Sequence, residues 1–152
     1  MTATYIEATD QMLTVLQNVW TNEVTPLTTY TPALYWPGQK PGTTVDGSKF
    51  WGRVSLQDVL STQATLSSEV KVSGSKRFTT VGVLVFQLWC PHSVPNSYAT
   101  GRQIVEKVRN TYRGATTTTG IWYTNVRIRE LPAEDVFHRF NVVAQYRYDD
   151  LG

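Results

Sequence analysis

The sequence predicts a single α+β domain, a mostly antiparallel sheet with two main helices packed against it, in the order helix, several strands, helix, two strands. Three observations predict it: a helical apolar stripe over residues 4–20, period-two alternation in segments beginning at Phe50, Phe78, Trp122 and Val136, and a second helical stripe over residues 98–112. A chain of 152 residues has the size of one domain and can bury about 70% of its unfolded surface around one core. Residues 1–152 are therefore read as a single unit.

In the first segment Ile6, Leu13, Leu16 and Trp20 recur at helical spacing, with Val15 and Val19 widening the stripe. Thr25 and Pro26 are expected to end that helix. Residues 27–36 alternate weakly and include Pro32, which predicts an irregular or edge strand. PGQKPGTTVDGS, residues 37–48, is a loop by its turn residues. In residues 50–57, Phe50, Val54 and Leu56 point one way while Trp51, Arg53, Ser55 and Gln57 point the other. The adjacent Val59 and Leu60 break the period, so a bulge or strand end is expected at residues 58–60.

Residues 64–72 read as a polar strand, with a turn at residues 73–75. Residues 78–90 are apolar on both faces, Val81, Val83 and Val85 on one and Leu84, Phe86, Leu88 and Cys90 on the other, the pattern of a central strand covered on both sides. Pro91 and Pro95 frame a loop into the second helix, with Ser97 as its expected N-cap and Gly114 as its stop. Two strands close the chain. In the first, Trp122, Val126 and Ile128 are expected on one face and Arg127 and Arg129 on the other; in the second, His138, Phe140, Val142, Ala144 and Tyr146 oppose Arg139, Asn141, Gln145 and Arg147.

Composition narrows the function. The formal charge is +2 and the basic residues are dispersed, without the run or stripe that a sequence-independent nucleic-acid binder uses to release counterions. Arg102, Lys107, Arg109 and Arg113 on the second helix read as a solvated face. Cys90 is the sole cysteine, which excludes an internal disulfide and suits a reducing compartment. No apolar run approaches the ~20 residues that span a bilayer, and the N-terminus lacks the basic start and apolar centre of a signal peptide. The expectation is a protein neither inserted in a membrane nor secreted by that route.

Catalytic chemistry is not indicated. His92 and His138 belong to separate segments and would have to converge with further groups to hold zinc or serve a triad. The carboxylates at 134–135 and 149–150 read as solvated, not as a separated acid and base. Gly101, Gly114 and Gly120 have no phosphate-loop spacing. No cofactor and no metal is expected. What stands out is five tryptophans and eight tyrosines, residues favoured with arginine at protein interfaces. Trp51 falls on the polar side of its strand, while Trp36 and Trp122 flank loops.

The order of an N-terminal helix, the loop YWPGQKPG, the strand FWGRVSLQDV, the segment KRFTTVGVLVFQLWCP, the helix TGRQIVEKVRNTYRG and the closing segments IWYTNVRIREL and HRFNVVAQYRYD resembles the tail terminator, or tail completion, proteins of long-tailed bacteriophages. The resemblance covers nearly the whole chain and implies a structural virion protein, not an enzyme. It implies a homo-hexameric ring that caps the tail tube, ends its polymerisation and docks the head–tail connector, with DNA passing through the hole without specific binding. The implied location is the tail–neck region of the virion, after assembly in the host cytoplasm. On this view Trp51, Arg53, Ser55, Gln57, Lys76 and Arg77 are the candidate contacts to neighbouring copies or to the tube. Another neck or tube component, and a small enzyme or ligand-binding domain, are the alternative readings.

Overall fold

Helix α1, Tyr5–Val19, opens the computed structural model, which describes residues 3–39, 46–63, 77–115, 120–134 and 136–151. Its start is held by a reciprocal cap. The Thr4 hydroxyl accepts from the Glu7 N–H at 3.1 Å, and the Glu7 carboxylate accepts from the Thr4 N–H at 3.1 Å, occupying two donors that a helix N-terminus otherwise leaves free. Ala8, Met12, Leu16 and Val19 form the buried stripe.

The expected stop at Thr25 and Pro26 is displaced. The helix widens into a π-helical turn, Trp20–Val24, where the Thr25 N–H donates back to the Trp20 carbonyl, and runs on as α2, Thr25–Thr28, with Pro26 in its first turn. A proline is tolerated where its missing N–H has no partner to lose, and the widened turn supplies such a start within a continuous helical path. The path ends at Thr29, in the left-handed region at φ 65°.

The sheet is mixed and five-stranded, in the order β1-β2-β3-β5-β4. Its strands are β1 Ala33–Tyr35, β2 Trp51–Gln63, β3 Arg77–Pro91, β4 Trp122–Leu131 and β5 Phe137–Leu151. β1 runs parallel to β2 at one edge, and the other pairings are antiparallel. The bulge expected in β2 lies between Asp58 and Leu60. The strand and turn expected at 64–75 lie outside the described residues, as does part of the loop at 37–48.

The α+β class thus holds, with an N-terminal helix and the later helix α3, Ser97–Arg113. Ser97 is the first residue of α3 and is buried; the N-cap is Asn96, at φ 60°. α3 packs on β3, β4 and β5, and α1 lies along α3, where the buried Tyr112 hydroxyl donates to the Met12 carbonyl at 2.8 Å. Gly101 permits the close seating of α3, because a Cβ there would overlap Cys90 Sγ and approach Phe140 Cε2 to 2.9 Å.

Gly82 has a comparable role inside the sheet. A Cβ at this position would overlap the Tyr146 hydroxyl and the Gln57 carbonyl oxygen, and that hydroxyl donates to the Asp58 carboxylate beside the bulge. Gly82→Val is expected to cost about 3 kcal/mol of stability through overpacking. Urea unfolding checks this, and a midpoint equal to wild type would contradict it.

Candidate interaction surface

The register divides the sheet into two faces. The face under α3 carries Leu84, Phe86, Leu88, Cys90, Phe140, Val142, Ala144 and Tyr146, all buried. The expectation that the central strand is covered on both sides is corrected here. Val81, Val83 and Val85, on the opposite face, are only half-buried, because α3, the helix that packs on β3, β4 and β5, does so from the other side.

Rows of side chains cross this open face from β2 through β3 and β5 to β4. One row is Leu60, Val81, Arg147 and Trp122; the next are Gln57, Val83, Gln145 and Thr124, then Ser55, Val85, Val143 and Arg127. Arg53, Gln87, Asn141 and Arg129 follow, and Trp51, Trp89, Arg139 and Leu131 complete the ladder. The face therefore has an apolar spine with arginines along its flanks, an arrangement suited to protein contact.

Of the candidate residues, Arg53, Ser55 and Gln57 are exposed on this face. Trp51 is on the same face, but the expectation that it stands free is corrected: it is 8% exposed. Its ring stacks on Trp89 with centroids 3.9 Å apart, and Tyr35 and Phe137 meet it edge-on at 5.7 and 6.4 Å. Arg139 lies 5.1 Å over the Trp89 ring and pairs with Glu134 at 2.9 Å. The cross-strand pairing Trp51↔Trp89 is invisible until the register is known, although two tryptophans on facing strands stack readily. Arg77 opposes Leu151 and forms an ion pair with Asp149 at 3.1 Å. Lys76 lies outside the described residues.

Two further corrections change the character of this surface. Trp122 was expected on the face of Val126 and Ile128, yet a bulge between Thr124 and Arg127, with Asn125 at φ 50°, inserts a residue and reverses the alternation. Trp122 consequently sits with Arg127 and Arg129 on the open face, 48% exposed, with Arg147 over its ring at 5.7 Å. Asp149, expected in solvent, is 5% exposed and accepts from the Thr79 hydroxyl at 2.7 Å besides pairing with Arg77.

The histidines do converge. His92 Nε2 bonds the Glu134 carbonyl at 2.7 Å, and the His92 and His138 rings meet Nδ1 to Nε2 at 3.1 Å. A carbonyl can only accept, so His92 Nε2 donates; in a neutral His92 ring Nδ1 then accepts and His138 donates. Desolvation, with the neighbouring His92, holds His138 below its ordinary pKa. Three of the four ring nitrogens are thus engaged in tying β5 to the turn after β3. Among the described residues no group of three His, Cys, Asp or Glu side chains is placed to hold a metal ion.

No protein-family model matches the chain, and no curated protein is significantly similar to it.

Proposed function

We propose that this chain is a ring-forming structural subunit of a long-tailed phage, a tail terminator that caps the tail tube, ends its growth and offers a docking surface to the head–tail connector. The observation that supports it most is the open sheet face: half-buried valines, exposed Trp122 and exposed arginines, on a domain whose sheet-contacting helices lie on the other side. Such a face is stabilised when another protein excludes water from it, at about 25 cal/mol per Å² of apolar area. Identical copies joined head to tail close into a ring when each contact adds a fixed rotation. In this reading the copies pack around an axis, the tube protein and the connector are the partners, and the work is done by geometry rather than by bond-making.

Deleting the gene from its parent phage is expected to leave tail tubes of uncontrolled length and no joined particles, scored by electron microscopy. Tails of normal length joined normally to heads would contradict the proposal. Joined particles with over-long tubes would favour a different neck role.

A further inference from the structure

The open face has a specific electrostatic character. Arg53, Arg127, Arg129 and Arg147 lie on it, and among the described residues none of them has a carboxylate within ion-pairing distance. Arg147 lines a groove of about 710 Å³ with Val59, Val81, Val83, Trp122 and Gln145, Arg127 lies in the next row of the sheet beyond it, and Arg53 and Arg129 lie in the row after that. The N-terminal part of the chain has the opposite character. Residues 3–39 contain Glu7, Asp10 and Glu23 and no lysine or arginine.

Among the described residues, the outward side of α1 also bears an apolar side chain left largely uncovered. Ile6 is 68% exposed, and Ile6, Asp10, Leu13 and Gln17 fall at helical spacing along one ridge. A shallow hollow between Asp10, Leu13, Gln17 and Trp36 runs beside it. The solvent side of an amphipathic helix is ordinarily polar, so the exposed Ile6 beside Asp10 departs from the pattern.

We infer that the outward ridge of α1, centred on Ile6 and Asp10, docks in the arginine-flanked groove of a second copy of this chain. The inference rests on the ring reading and specifies its contact. The two surfaces lie on opposite sides of one domain, so they cannot satisfy each other within a copy and instead link copies head to tail. Docking gives each sheet the second helical layer that the apolar valines of β3 require, and sets Asp10 against the arginines. Four strands at about 4.8 Å and five rows at about 6.8 Å give the open face an area of about 650 Å² before side-chain relief, against the ~800 Å² per partner of a standard interface, and the 15 residues of α1 are long enough to run about 22 Å across it.

The test uses the full chain, alone and with tail-tube protein, followed by sedimentation over a range of concentration and salt, with urea unfolding to confirm that each variant folds. Arg147→Glu alone and Asp10→Lys alone are each expected to weaken association at least about tenfold. Asp10→Lys with Arg147→Glu in one chain is expected to recover most of it, because both signs are reversed together. Sensitivity to Arg147→Glu but not to Asp10→Lys, or no recovery in the double variant, overturns this contact and leaves the ring reading standing. Duplex DNA bound through Arg147 in place of self-association also overturns it. A wild-type chain that stays monomeric under every condition, tube protein included, overturns both.

Discussion

Trp20→Ala is expected to destabilise the fold by about 4 kcal/mol, within the range for deleting a large buried aromatic. Trp20 is 2% exposed, meets Phe86 edge-on at 5.5 Å, and donates from Nε1 to the Pro32 carbonyl at 2.8 Å. It thereby fixes the π-helical turn to β3 and to the approach to β1, and its ring occupies the space above Gly52, where an added Cβ would lie 3.2 Å from Cη2. Truncation opens a cavity and also leaves the Pro32 carbonyl without this donor. Trp20→Phe keeps part of the ring contact and should lose about 1–2 kcal/mol. Trp122→Ala, on the open face, should cost under about 1 kcal/mol in the isolated copy while weakening assembly. Urea unfolding of the three variants separates the roles, and equal losses at Trp20 and Trp122 would contradict them.

Stability should fall steeply in alkali. Burial pushes the Cys90 thiol from its ordinary 9.0 up to about 12, so between these pH values the unfolded chain releases a proton that the folded chain retains. The folded state binds more protons there, and each pH unit removes about 1.4 kcal/mol. This contribution is complete below pH 9 and lost as the pH rises toward 12. Burial also raises Tyr112 and Tyr123, and burial together with the bond to Asp58 raises Tyr146, so from pH 10 upward the tyrosines add to the decline in the same direction. Urea unfolding at successive pH values should show the onset near 9 in wild type and near 10 in Cys90→Ala. An unchanged onset in that variant would count against the assignment.

The class and most element positions were legible because they depend on local periodicity. The alternation in β2, the bulge near Val59 and the doubly apolar β3 can each be read from a few consecutive residues. Features that depend on pairing were not. Trp122 changed face because Asn125, a residue that tolerates positive φ, admits one extra residue in β4. Trp51 is covered by a tryptophan 38 positions away in sequence, and Asp149 is buried by an arginine on a neighbouring strand. The doubly apolar pattern of β3 indicated two covered faces, whereas one copy supplies cover for one. That mismatch, rather than any motif, is the observation on which the proposed contact between copies rests.

Electron cryomicroscopy of the chain at the end of a tail tube tests the central claim most directly. The expected result is a closed ring in which Val83, Val85 and Trp122 of each copy are covered by the adjacent copy. A lone copy at the tube end, or a ring whose sheet faces stand open to solvent, would contradict it.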